Sequence, residues 1–177
     1  LRLAEPDLPA YFNGVGNIGL LLGEPSGWLV DVDLDCPEAI ELAPQFLPPT
    51  GAKTGRASAR ASHWWYVCEG AITKKHCFPG SKDTVAEIRS TGAQTAVGPS
   101  VHPSGEQYEP LEGDPARIDA GALALAVQAL VAAVIAVIAA ERPGIWKMPD
   151  ARRIVDVCPA SQARIVAVSA VALLARL

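Results

Sequence analysis

The chain has 177 residues, 50% of them hydrophobic, 6% aromatic and 19% charged, with a formal net charge of -4. That length holds one core with at most a small appendage, which excludes a large multi-domain enzyme. The apolar fraction excludes a mainly disordered chain, and the negative balance speaks against a simple polybasic nucleic-acid binder.

The chain opens on Leu1 with no charged-then-apolar leader. No signal peptide is therefore expected, and a cytoplasmic fragment of a longer protein is. Asn17–Leu22 (NIGLLL) predicts a buried strand, Gly23–Gly27 a turn, and Trp28–Leu34 (WLVDVDL) a second strand. Asp35-Cys-Pro-Glu38 then opens a helix, with Asp35 in the capping position and Ile40, Leu42, Ala43 and Phe46 on its apolar face. Pro48-Pro49 ends it. Residues 51–62 (GAKTGRASARAS) are small, basic and polar, and predict a loop. His63–Cys68 (HWWYVC) predicts a strand, followed by a polar connection and two short strands, Thr84–Ile88 and Gln94–Gly98. Pro99–Gly105 predicts a structured loop.

Near residue 118 the composition shifts to Ala, Val, Ile and Leu at helical spacing. Gly121–Ala140 is long enough to span a bilayer, but it is rich in Ala and lacks flanking aromatics. It is expected to pack on the sheet, with no membrane partner. Residues 150–177 predict one or two further helices whose apolar face runs to Leu177.

Cys36, Cys68, Cys77 and Cys158 form no C-x-x-C pair and suggest no disulfide framework. Cys68, His76 and Cys77 lack a fourth ligand at usual zinc spacing, so reduced thiols are expected. Charge is segregated along the chain: -7 over residues 1–52, +5 over 53–82, -5 over 83–120 and +3 over 121–177. Carboxylates facing a basic groove would produce that pattern, and so would ordinary variation along a surface.

The strand WLVDVDLD is the most informative stretch. Alternation puts Asp31, Asp33 and Asp35 on one side, roughly 6–7 Å apart, where they repel one another. Folding alone has no use for that cluster. A divalent cation of the hard, oxygen-seeking kind, Mg²⁺ or Mn²⁺, would neutralise Asp31 and Asp33, while a helix cap accounts for Asp35. Glu87, flanked by apolar residues in TVAEIRS, is a candidate third acid. His63 follows a basic stretch containing Lys53, Arg56 and Arg60, and suits contact with a phosphate.

The ordered set D-V-D, a basic segment running into S-H-W, then E-I-R-S-T-G-x-Q-T and P-S-V-H-P-S-G, resembles the bifunctional DNA primase/polymerase (Prim-Pol) domain. That domain belongs to the archaeo-eukaryotic primase superfamily, often carried by plasmids, phages and integrated elements. The resemblance covers about residues 11–112. It implies an α+β catalytic core over residues 1–118, with a mixed sheet and flanking helices and its usual N-terminal portion missing. An Ala-rich helical segment over 119–177 would follow. It implies a nucleotidyltransferase using two Mg²⁺ or Mn²⁺ ions for primer synthesis or template-dependent DNA polymerisation. Asp31, Asp33 and Glu87 would hold metal, and His63 would act with them on the incoming nucleotide. Arg56, Arg60, Arg89, Gln94, Ser100 and His102 would surround the nucleotide. Nucleoside triphosphates and a DNA template and primer would be its partners, with a helicase beyond the C-terminus.

One departure stands out: the family's small polar residue two before the histidine is Ala61 here, while Ser62 should point to the opposite face. Two other readings fit the residues themselves. Paired acids with a histidine also serve a metal-dependent nuclease or phosphodiesterase. A non-catalytic module would instead bind nucleotide or single strands, stacking bases on Trp64, Trp65 and Tyr66.

Overall fold

The strand Leu29–Leu34 (β2) lies at the centre of the molecule, as a run with five consecutive buried residues should. The computed structural model describes residues 16–141, together with Pro6 and Ala10. Before β2 come β1 (Ile18–Leu21) and a 3₁₀ turn at Glu24–Ser26. After it come α1 (Pro37–Phe46), β3 (Lys53–Arg56), β4 (Ala59–Val67), β5 (Lys74–Cys77), β6 (Thr84–Arg89), β7 (Gln94–Val97), β8 (Ala116–Arg117) and α2 (Ala120–Glu141).

A six-stranded sheet runs β3-β4-β2-β6-β5, with β8 alongside β4, and a separate ribbon pairs β1 with β7. All of these pairs are antiparallel except β4–β8, which is parallel. The fold is therefore α+β with a mixed sheet, as the sequence predicts.

Strand alternation divides the sheet into two faces. Val30, Val32 and Leu34 of β2, Trp64 and Tyr66 of β4, and Ala86 and Ile88 of β6 form the main core with Ala39, Leu42 and Ala43 of α1. From α2, Leu123, Val127, Leu130 and Val134 complete the same core. Their i, i+4, i+7 spacing makes one apolar stripe. Asp119 begins this helix by accepting the Ala122 N–H on its carboxylate at 2.9 Å, a cap contributing about 1 kcal/mol. By length and composition α2 could cross a membrane, but its buried residues face α1 and the sheet. On the other face Leu22, Ala52, Trp65 and Val97 form a smaller cluster beneath the β1–β7 ribbon.

Three local expectations are corrected. The stretch 51–62 is a β-hairpin rather than a loop, because β3 and β4 pair across the turn at Ala57-Ser58. The polar connection after Cys68 contains the edge strand β5, which needs no apolar alternation because one side of it is unpaired. The residue capping α1 is Cys36, not Asp35, because Pro37 is pre-organised for the first helical position and shifts the start by one. Cys36, Cys68 and Cys77 are free thiols. The segment 143–177, including Cys158 and the predicted C-terminal helices, lies outside the described residues.

Candidate active site

The face of the sheet opposite the main core carries the charged side chains. Register sets Asp33 of β2 between His63 of β4 and Glu87 of β6. Two residues back along β2, Asp31 lies between Trp65 and Arg89. Asp31 and Asp33, both predicted to share a face, are buried on it, as are His63 and Glu87. Asp35 lies just past the end of β2, exposed to solvent.

A closed network satisfies most of these groups. The Nδ1 of His63 lies 3.0 Å from Asp31 Oδ2 and 3.3 Å from Asp33 Oδ1. The hydroxyl of Thr95, on β7, donates to the same Asp31 oxygen at 2.7 Å. Arg89 bridges the other two acids, its Nε 3.0 Å from Glu87 Oε2 and its terminal nitrogen ion-paired with Asp33 Oδ2. One atom is left out: Asp31 Oδ1 is buried with no hydrogen-bond partner. A buried carboxylate oxygen in that state is costly.

Burial and charge set the protonation of the cluster. Burial pushes the Asp33 carboxyl up to about 6, further raised by Asp31, while His63 and Arg89 pull the other way. Burial lowers the His63 imidazole, but the Asp31 and Asp33 carboxylates outweigh it, leaving the ring above its ordinary value. His63 is therefore biased toward the charged form, with Nδ1 committed to the aspartates and Nε2 the nitrogen left for a ligand. Burial opposes the charge on Arg89, yet Asp33 and Glu87 more than offset it and hold the guanidinium protonated.

A cavity of about 770 Å³ opens beside this network, walled by Asp33, His63 and Arg89 on one side and by the β3–β4 hairpin on the other. The hairpin contributes Arg56 and Arg60, and His102 closes a further edge. Arg56 is held by Glu106 at 3.2 Å, and Ser58 hydrogen-bonds the same carboxylate. Arg60 has a side chain 78% exposed and a long 3.9 Å pairing with Glu109, so it is available to an incoming anion. Asp31 and Glu87 are joined to the site through His63 and Arg89 without lining the cavity. Ser100 and Gln94 also do not line it. Ser100 is buried, exchanging hydrogen bonds with the backbone of Ile18, and Gln94 is exposed at the start of β7.

Two wall residues escaped the sequence reading. Tyr108 lies with its ring centroid 5.9 Å from that of His102 and 6.5 Å from that of His63. Its only sequence signal is an aromatic residue in the polar stretch SGEQYEP. Ser62, expected on the opposite face, lines the same cavity as His63. The pairing slips between Thr54 and Arg56, and Ala61 takes a positive φ of 53°, so simple alternation fails just before His63. The Ser62 hydroxyl is buried without a hydrogen-bond partner. Trp64, Trp65 and Tyr66 are all buried, and each uses its polar atom within the fold, so none offers a stacking platform.

The sequence profile of the family described as bifunctional DNA primase/polymerase, N-terminal (Prim-Pol), matches residues 11–124. The chain belongs to the Prim-Pol family. Neither the curated proteins nor the solved structures searched give a match. Membership makes this a nucleotidyltransferase-type domain of the kind that serves DNA priming and polymerisation. Divalent metals generally serve Prim-Pol domains, and the donors here suit them: three buried carboxylates of the hard-oxygen type. The orphaned Asp31 Oδ1 and the raised Asp33 carboxyl mark a cluster short of positive charge. Among the described residues no three His, Cys, Asp or Glu side chains stand ready arranged around a metal position. In this Prim-Pol domain Arg89 and His63 supply the compensating charge.

Proposed function

We propose that this domain extends nucleic-acid chains by two-metal-dependent nucleotidyl transfer, making primers, elongating them, or both, in the replication of a plasmid, phage or integrated element. The observation that carries the reading is the row His63–Asp33–Glu87 beside a cavity whose facing wall bears Arg56 and Arg60. Acids set against cations across a cavity match the demands of a metal-borne triphosphate.

Asp31, Asp33 and Glu87 would hold Mg²⁺ or Mn²⁺, and bound ions would activate a 3′-hydroxyl and neutralise charge on the departing pyrophosphate. The chain's own groups do the remaining work. His63, fixed through Nδ1 by both aspartates, offers a charged Nε2–H to a phosphate oxygen. Arg60 neutralises the outer phosphates, and Arg56, oriented by Glu106, does the same from deeper in the wall. Tyr108 and His102 form an aromatic edge against which sugar or base packs. Arg89 keeps Asp33 and Glu87 side by side while no metal is bound.

The test is a primed template incubated with labelled nucleotides and Mg²⁺ or Mn²⁺. Metal-dependent extension should fall by about 10²-fold or more in His63→Ala and Asp33→Ala, the scale of losing one aimed charge stabiliser. Shortening of the labelled strand would instead assign hydrolysis. Nucleotide binding with neither extension nor shortening would reduce the domain to a binding module.

A further inference from the structure

The sheet register extends the row beyond Glu87. In one line across five strands stand Thr54 on β3, His63 on β4, Asp33 on β2, Glu87 on β6 and Lys75 on β5. Adjacent strands are about 4.8 Å apart, which sets Lys75 about 5 Å past Glu87 and roughly 14 Å from His63. Lys75 is exposed on the edge strand, and its side chain makes no hydrogen bond or ion pair among the described residues. Its register opposite Glu87 sets it on the acidic face of the sheet.

The cavity lies to one side of this row. Its walls include His63, Asp33, the β3–β4 hairpin and, from β6, Arg89, but neither Glu87 nor Lys75. We infer that Lys75 binds the sugar-phosphate backbone of the primer strand beside its 3′ end. The inference rests on the nucleotidyl-transfer reading. In that reaction the 3′-oxygen forms a bond to the α-phosphorus as the bond to the bridging oxygen breaks. Pyrophosphate leaves with the electron pair, and the hydroxyl proton passes to water. The attacking and leaving oxygens lie on opposite sides of the phosphorus. With the triphosphate held on the Arg56 and His63 side, the attacking strand arrives from the Glu87 side, where Lys75 is the next charged group in the row.

Lysine is suited to that place. A point charge on a flexible stem attracts a phosphate without the two-pronged grip of an arginine. A strand that must advance after every addition needs such a contact. The same strand also contains its own control. Lys74 is equally exposed, but it pairs with Ile88 and lies on the opposite face, where its charge acts on His76.

The test uses the full chain and a DNA hairpin with a recessed 3′ end, titrated by fluorescence anisotropy at several KCl concentrations. Lys75→Ala should weaken binding and reduce the slope of log affinity against log salt by about 1, as for one lost phosphate contact. Lys75→Glu should weaken it further, and Lys74→Ala should behave as the wild type. In extension assays KM for the hairpin should rise in Lys75→Ala while KM for the nucleotide stays fixed. An unchanged salt slope in Lys75→Ala, or equal losses in both alanine variants, overturns the inference. So does a weakened nucleotide with intact hairpin binding, which would move Lys75 to the triphosphate. If the wild type binds the hairpin through Lys75 but extends nothing in either metal, the transfer reading fails and the strand-binding site stands.

Discussion

Arg89 offers the sharpest test of how this site is held together. It is the cation joining Asp33 and Glu87, whose side chains are each 9% exposed, while its own is 25% exposed. Replacing it with methionine keeps much of the stem and removes the charge. Breaking a buried pair in this way costs about 3–5 kcal/mol, because the carboxylates remain without compensation. Proton uptake limits the loss here. Asp33 is already raised to about 6, so neutralising it at pH 7 takes only about 1.4 kcal/mol. The expected cost of Arg89→Met at pH 7 is therefore near the lower end, about 3 kcal/mol. The sign of the pH dependence follows from the same shift. A carboxyl raised above its unfolded value penalises the fold at high pH and is relieved as pH falls through the folded value. The gap between variant and wild type should thus narrow to about 1–2 kcal/mol at pH 5, since Asp33 is largely protonated in both. Urea denaturation in EDTA at pH 5, 7 and 8 measures it. A gap that stays constant across that range, or a variant as stable as wild type, would refute the view that Arg89 compensates buried carboxylates.

Three further outcomes are expected. Gly55→Ala places a methyl 2.2 Å from the carbonyl oxygen of Ala59 and 2.8 Å from the Ala61 nitrogen, both backbone atoms. It should cost about 3 kcal/mol or more in chemical denaturation by prising β3 from β4; a neutral result would mean that the hairpin is looser than described. Ser62→Ala deletes a buried hydroxyl without a partner, so stability should hold or rise by up to about 1 kcal/mol while KM for the nucleotide increases. A clear loss of stability would show that the hydroxyl has a partner in the fold. Binding of Mg²⁺ or Mn²⁺ should weaken as pH drops through about 6 and release a proton, because Asp33 must ionise to serve as a ligand. Calorimetry in two buffers of different ionisation enthalpy detects that proton, and pH-independent binding would remove Asp33 from the ligand set.

What could be read from the chain alone was governed by distance along it. The shared face of Asp31 and Asp33 depends only on strand alternation, which neighbouring residues set for themselves. The long apolar run after residue 119 is equally local, and its helix spans Ala120–Glu141. The β3–β4 hairpin was lost because GAKTGRASARAS lacks apolar alternation. Its backbone is extended by partnership with neighbouring strands, not by propensity. The irregularity at Ala61 follows from that pairing too, so the placement of Ser62 could not be foreseen. Tyr108 reaches the cavity because its loop is pinned elsewhere. Its amide bonds the Ser100 carbonyl at 2.9 Å, and the Glu109 amide bonds Gly55 on the hairpin at the same distance. Gln94 and Ser100 were grouped with the nucleotide through a motif that runs along the sequence, whereas β7 turns them toward β1.

The central position of β2 also has a consequence during synthesis of the protein. Its two partners, β4 and β6, both emerge from the ribosome after it, and Glu87 and Arg89 are the last of the charged groups in the network to arrive. Until β6 docks, Asp31 and Asp33 have no arginine across the sheet and their burial is unfavourable. Closing that long loop is slow compared with forming the local hairpin of β3 and β4. A nascent chain therefore carries acids that stay hydrated, and the acidic row is assembled in one late step, when the strand bearing the third carboxylate brings its own counter-charge with it.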